Sequence, residues 1–553
     1  MNDSSQSRGG PAEESLARRS VIVSVILVVS FIVAAAVRLY NIDAAKLYFY
    51  ATRPYYSFCI ARHFYYEGTE SIPDWKRDIA AINKEALDDK EPPLTEYLVS
   101  RIWRACRSEN HWAPSFVCSI FWLIGGIFVF LIAKKYTTVV AAAIATAFYL
   151  LCPFGIVMSR SFQPESLMTM MFLAGIYTIF NYYEKPSTKR LFIMAIVSGL
   201  AILAKVLVIF PIWAAFIAAG ICKKGFRKTI FSLDHFVFEL IGIMPGFLYY
   251  AYLTLFTDEL KTVAQSAIAP SLLLTSYFWT GWLNQLACVT GLVPLAGAIV
   301  GVFLVRAKLI RSLLIGLLGG YFVYGLVFSA DTPTQGYKQI HMVPIVALAL
   351  APVIALFGKH LIQRDSRGRL PAVIIILLLL TALLGALVSI KKSAFGSENK
   401  YTKFCLDLTY KSFGLEPDYL SQFSNDYPEF IERAEKIGDV VNHSDKTITL
   451  GLTVPLWYYG HYAGYRWPPY RHWPFPDEIS SMGTGAKWRK YRGLSAEELF
   501  EQHFSRFAPE YFVVTALEDF EKQKTLREFL AKKSTILVQS DQYLIFDLTE
   551  PKQ

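Results

Sequence analysis

The chain has 553 residues, carries 55 Lys+Arg against 45 Asp+Glu for a formal charge of +10, and is 54% hydrophobic but only 18% charged. Soluble chains carry about 25% charged residues, and the mean hydropathy of +0.34 with 15% aromatic residues argues against a disordered chain, a disulfide-framed module or a nucleic-acid-binding domain. An integral membrane protein remains, in which Lys and Arg of short loops set orientation and need imply no anionic partner.

Residues 1–19 are polar and read as a cytoplasmic tail ending in Arg18-Arg19. The apolar run 20–37 is long for a signal peptide and reads as an uncleaved anchor. A bilayer-crossing helix needs about 20 apolar residues. On that rule further spans fall at 115–133, 138–157, 167–182, 191–204, 207–222, 236–256, 287–305, 313–330, 342–357 and 370–390, about eleven in all. Basic residues gather in every second short connection: Lys134-Lys135, 185–190, 223–228, 306–311 and 359–369. The N-terminus is therefore cytoplasmic and three regions are extracytoplasmic: a long first loop 38–114, a loop 257–286, and a soluble domain 392–553. The membrane domain then spans 20–391.

Within the first loop, 55–66 and 94–106 show the apolar spacing of interfacial helices. The C-terminal region alternates strand-like runs at 447–453, 511–514 and 543–547 with helix-like stretches at 496–507 and 517–531, which predicts an α/β module. Seven scattered cysteines lack zinc or redox spacing and read as small buried hydrophobes. No internal repeat supports a transporter built from repeated halves.

Ionisable groups at membrane depth are costly and so are candidates for function. Arg160 and Glu165 sit in a very short external turn, Lys205 sits where two spans meet almost without a loop, and Lys338 and His341 precede the tenth span. The first loop adds Arg53, Arg62, Lys90 and Glu91. Together they offer cations and carboxylates at one membrane face, suited to a lipid-linked phosphate. The plainer alternatives are cations snorkelling to headgroups and, for Glu165 after Pro164, a carboxylate on a helix dipole.

Several passages resemble, in order, the GT-C glycosyltransferases of the protein mannosyltransferase and aminoarabinose-transferase type. They are Arg53-Pro54-Tyr55-Tyr56 running to Ala61-Arg62, Lys90-Glu91-Pro92-Pro93-Leu94, Ser159 to Glu165, Gly199 to Lys205, Gly336-Tyr337-Lys338-Gln339-Ile340-His341, and Pro455-Leu456-Trp457-Tyr458-Tyr459. The resemblance implies a polytopic α-helical membrane protein with an extracytoplasmic α/β domain. The implied activity moves a sugar, with inversion, from a polyprenyl-phosphate donor to a lipid-linked glycan, envelope polysaccharide or protein. It implies a bacterial inner membrane, membrane lipids as surroundings and no nucleic-acid partner. Glu91, Glu165 and Asp43 are the implied catalytic carboxylates. Arg53, Arg62, Lys90, Lys205, Lys338 and His341 are the donor-phosphate cations, and Tyr56, Arg160 and Tyr337 line the substrate. No cofactor is implied, and a divalent metal stays open.

One position departs from the pattern. Relatives with Arg-x-x-Asp-x-x-x-Ile-Ala-Arg carry Asp where this chain has Tyr56, and a phenol with a pKa near 10 is a poor base. Either Glu91, Glu165 or Asp43 takes the role, the acceptor needs no strong base, or the chain is a non-catalytic binder of lipid-linked glycans. A transporter is a weaker alternative, since few charges lie near mid-span. The aromatic passage 457–476 suits either stacking on sugar rings or resting at the headgroups.

Overall fold

Apolar runs in a bilayer become helices because only a helix satisfies its own backbone hydrogen bonds there. The computed structural model describes residues 11–45, 52–87, 91–256, 267–364, 427–470 and 493–549, with isolated positions 47, 411, 412, 414 and 491. Helix α1 (Pro11–Leu39) leads into three helices of the first loop, α2 (Thr52–Glu67), α3 (Asp74–Leu87) and α4 (Leu94–Cys106). The bundle continues with α5 (Trp112–Ala133), α6 (Val139–Leu151), α7 (Pro153–Arg160), α8 (Glu165–Glu184), α9 (Thr188–Ala204) and α10 (Ile209–Lys224). It proceeds through α11 (Leu233–Phe256), α12 (Ser276–Thr290), α13 (Leu292–Leu304), α14 (Lys308–Val327) and α15 (Met342–Arg364). Among the described residues, 6 helices are long and apolar enough to cross a membrane, and up to 8 if each of two bent pairs is one span. The span expected at 370–390 lies outside the described residues.

Two expected spans are broken. The run 138–157 bends by 54° between α6 and α7, because Pro153 opens α7 and has no N–H to continue the ladder. The span expected at 287–305 begins earlier, as α12, and turns by 91° into α13. Gly291 makes this turn at φ 79°, where a side chain would be strained.

Helix α8 is buried around most of its circumference, with Leu167, Phe172, Leu173, Ile176 and Ile179 in the main core. Helices α10 and α14 approach closely at small residues, as membrane helices do when packing rather than hydrophobicity joins them. A Cβ built on Gly316 would stand 2.5 Å from the Ala214 carbonyl oxygen and 2.7 Å from Ala215 Cα.

The C-terminal region contains α16 (Pro428–Val440), β1 (Thr447–Leu450), α17 (Thr453–Gly460), β2 (Gly464–Arg466), α18 (Ala496–His503), β3 (Tyr511–Val514), α19 (Lys524–Lys533), β4 (Thr535–Gln539) and β5 (Leu544–Asp547). The sheet order is β2-β1-β3-β5-β4. Strand β1 runs parallel to β2 and β3, and β5 runs antiparallel to β3 and β4. One sheet face packs Ile448, Phe512, Val514 and Phe546 against Leu526 and Leu530 of α19. The expected strand 447–453 ends early: its last residues turn at Gly451 and enter α17.

Helix α17 joins the sheet domain to the first loop. Leu456, Trp457 and Tyr458 share a core with Tyr55 and Phe58 of α2 and with Val99 and Trp103 of α4. The hydroxyls of Tyr55 and Tyr459 lie 2.7 Å apart, and Asn83 Nδ2 donates to the Tyr462 carbonyl at 3.1 Å.

Substituting Gly316→Val should force α10 and α14 apart. Overpacking of this kind costs about 1–3 kcal/mol. A lower thermal midpoint in lipid nanodiscs is expected, and an unchanged midpoint would show that the contact is loose.

Candidate functional site

Four segments that are remote in sequence bring charged groups together at one end of the bundle. Helix α9 ends at Lys205, held extended at φ −164° between Ala204 and a single 3-10 turn, Val206–Val208. The negative end of the α9 dipole favours that ammonium. Helix α8 begins at Glu165, whose carboxylate meets the positive end of its own helix. The chain ahead of α4 brings in Glu91, and the first turn of α2 brings in Arg53.

Lys205 is paired with Glu165, and its Nζ lies 3.3 Å from Glu91 Oε1. Arg53 Nη2 meets Glu91 Oε2 at 2.5 Å. The side chains of Lys205 and Glu165 are 6% and 1% exposed and those of Arg53 and Glu91 16% and 15%, so the inner pair is out of bulk water and the outer pair is partly open to it. Burial pushes the Glu91 carboxyl up, but the charges of Arg53 and Lys205 and their hydrogen bonds outweigh it and hold the group at about 2. The Tyr337 ring lies 5.7 Å from Lys205 Nζ, and its hydroxyl donates to Gln335 Oε1 at 2.8 Å. Oxygen Oε2 of Glu165 is buried without a hydrogen-bond partner among the described residues.

The other candidates are placed elsewhere. Arg62 faces away from the cluster: its Nε meets Glu109 Oε1 at 2.6 Å, its guanidinium carbon lies 3.6 Å from the Tyr458 ring centroid, and it donates to the Tyr458 carbonyl. Arg160 caps the end of α1, donating to the carbonyls of Val37, Tyr40 and Asn41 at 2.7, 2.6 and 3.1 Å. Lys338 pairs with the buried Asp331. His341 is fully buried among Tyr321, Tyr324 and Phe172, with centroids 5.4, 5.3 and 6.2 Å away. Asp43 is exposed in the turn after α1, and Lys90 lies outside the described residues. Tyr56 receives a hydrogen bond from Arg466 Nη2 at 2.9 Å.

Sequence reasoning missed Glu96, Ser57 and Arg466. Glu96 lies on the buried face of α4 and accepts from Ser57 Oγ at 2.5 Å. Ser57 stands one helical turn after Arg53, a spacing that was legible. Burial pushes the Glu96 carboxyl up to about 7 against the pull of the Ser57 hydrogen bond. The described residues contain no group of three or more His, Cys, Asp or Glu able to hold a metal ion. Glu91 and Glu165 are each neutralised by a cation, so a divalent ion finds no ready ligand set between them.

Residues 90–250 match the family model described as dolichyl-phosphate-mannose-protein mannosyltransferase. The crystal structure of ArnT from Cupriavidus metallidurans in the apo state is similar at a TM-score of 0.54 and 14% identity, covering 96% of this chain and 98% of that one. The same protein bound to undecaprenyl phosphate is similar at 0.54 and 14%, covering 94% and 97%. The Archaeoglobus fulgidus oligosaccharyltransferase in complex with Zn and sulfate is similar at 0.50 and 11%, covering 89% of this chain and 68% of that one. No curated protein matches the chain in sequence. At such identities the likeness speaks for architecture: the chain is a helical membrane protein with the GT-C fold.

The Glu96 carboxyl gives the fold a pH dependence. Its folded pKa of about 7 stands above the ordinary 4.5, so between those values the unfolded chain releases a proton that the folded chain keeps. Stability therefore falls as pH rises through that window and stays reduced above it. Glu96→Gln should raise stability at pH 8 by up to about 3 kcal/mol and leave it unchanged near pH 4. Thermal unfolding across that range checks this, and an equal gain at both ends contradicts it.

Proposed function

We propose that this GT-C chain is a glycosyltransferase that takes a sugar from a polyprenyl-phosphate donor at the extracytoplasmic face of a bacterial inner membrane. The observation that carries the reading is the cation pair of the buried Lys205 and the half-buried Arg53, bridged by Glu91. Two largely enclosed cations that share one carboxylate suit a phosphodiester, which can take the place of Glu91 with little change in local charge. One protein of the same fold was captured with undecaprenyl phosphate, which supports a lipid of that class here. The basic connections after α5, α8 and α10 lie at the opposite helix ends from Glu165 and Lys205, which supports an external site.

In this reading the C1–O bond between sugar and lipid phosphate breaks as a C1–O bond to an acceptor hydroxyl forms on the opposite face, with inversion. The electron pair of the broken bond stays on the departing polyprenyl phosphate, where Arg53 and Lys205 stabilise the charge. The acceptor proton goes to a carboxylate. Glu165 suits that role because Oε2 has no partner among the described residues, whereas Glu91 holds both cations. Tyr56 accepts a bond from Arg466 and is not the base. The acceptor is a lipid-linked glycan, an envelope polysaccharide or a protein, and the sugar is a hexose or a pentose.

Purified protein in nanodiscs should bind undecaprenyl phosphate and release it from a matching sugar donor. Lys205→Met is expected to weaken that binding about tenfold or more, the loss of a charge-assisted contact. Glu165→Gln is expected to leave binding in place and slow turnover by about 10²- to 10⁴-fold. Full turnover in Glu165→Gln removes it as base, and wild-type binding without turnover of any donor in a panel returns the non-catalytic reading.

A further inference from the structure

Arg466 brings an unbalanced charge to the seam between the sheet domain and the first loop. It stands at the end of β2, half buried, with its guanidinium carbon 5.2 Å from the Tyr56 ring centroid and 5.6 Å from that of Trp457. Its one hydrogen bond among the described residues goes to the neutral Tyr56 hydroxyl, and no carboxylate pairs with it there. The nearby carboxylates are taken: Glu109 by Arg62 and the Tyr66 hydroxyl, and Glu91 by Arg53 and Lys205. The indole beside Arg466 shows the same deficit. Trp457 is 2% exposed and its Nε1 donor has no partner among the described residues, a costly state for a buried N–H.

A partly buried guanidinium without a counter-ion among the described residues, beside an N–H donor unused by them, is suited to receive an oxyanion. The Tyr56 and Trp457 rings, 7% and 2% exposed, back the guanidinium from the core side and hold it in place. The corner adjoins the cation pair, because the Tyr56 ring centroid also lies 5.8 Å from the Arg53 guanidinium carbon. We propose that Arg466, Trp457 and Tyr56 form an acceptor subsite for a saccharide that bears a carboxylate or phosphate group. This inference rests on the transferase reading and names the class of its acceptor. Tyr56 then serves as the floor between donor phosphate and acceptor anion, a role a phenol fills and a carboxylate would oppose by repelling the acceptor.

The test uses the full chain in phosphatidylcholine nanodiscs with trigalacturonate and glucose 6-phosphate as anionic probes and maltotriose as the neutral one. At least one anionic probe should bind about tenfold or more tightly than maltotriose. Arg466→Gln should abolish that preference and Arg466→Lys should restore most of it, with both variants melting near the wild type. Equal affinity for all three probes, or a preference that survives Arg466→Gln, overturns the proposal. So does loss of the preference in phosphatidylglycerol discs, because the anion is then a lipid headgroup. Should Arg466→Gln fail to fold, the preference is read from Trp457→Phe, which removes the N–H together with part of the ring and should reduce it while the variant still melts as a folded protein; an undiminished preference there counts against the subsite. Wild-type binding of undecaprenyl phosphate in the same discs reports separately on the transferase reading.

Discussion

The site depends on one ammonium. Lys205 sits between two carboxylates in a place nearly closed to water, and each of its partners belongs to a different part of the chain. Taking such ions out of water costs several kcal/mol each, and an apolar replacement of equal volume is often no less stable. An arrangement of this kind is poor insulation and good chemistry: in the proposed function the cations are already held in place, and the groups that neutralise them are those an incoming phosphate would displace. The bends at Cys152-Pro153 and Gly291 lie close to this level of the bundle, where Gly336 would contact Gln285 and Phe154 if it carried a Cβ.

Much of the architecture is legible because bilayers leave few choices. Long apolar runs, separated by connections that alternate in basicity, located α1, α5, α6, α8 to α11 and α13 to α15, and the amphipathic spacing of 55–66 and 94–106 marked α2 and α4, while α3 and most of α12 carried no such signal. The misreadings have local causes. Hydropathy averages over Pro153, so α6 and α7 read as one straight span, and it passes over Gly291, so the span placed at 287–305 joined the end of α12 to α13. In the sheet domain the run Thr447 to Thr453 is apolar enough for a strand throughout, yet Gly451 turns the chain and α17 follows.

The candidate site was legible in type more than in membership. Span-end position selected Glu165 and Lys205 and the first loop supplied Arg53 and Glu91, which meet; span-end position also selected Arg160, Lys338 and His341, which serve a helix end, an ion pair with Asp331 and an aromatic cluster. Sequence position says how deep a charge sits but not which neighbour it faces. Arg62 shows this well. It lies on the same helix as Arg53, and nothing in the spacing reveals that Glu109 and Tyr458 wait on its side. Arg466 was hidden because its partner Tyr56 is 410 residues away.

The seam between α2 and α17 also sets an order of events in synthesis. Tyr55 and Tyr459 are 404 residues apart, with the whole bundle between them. The first-loop helices leave the ribosome early, but the aromatic residues that complete their core arrive only with the last quarter of the chain. Contacts so distant in sequence form late, since chain closure comes before any gain from packing. A charge cluster braced by that core is therefore assembled last, and a nascent or truncated chain carries the residues of the site without the site itself.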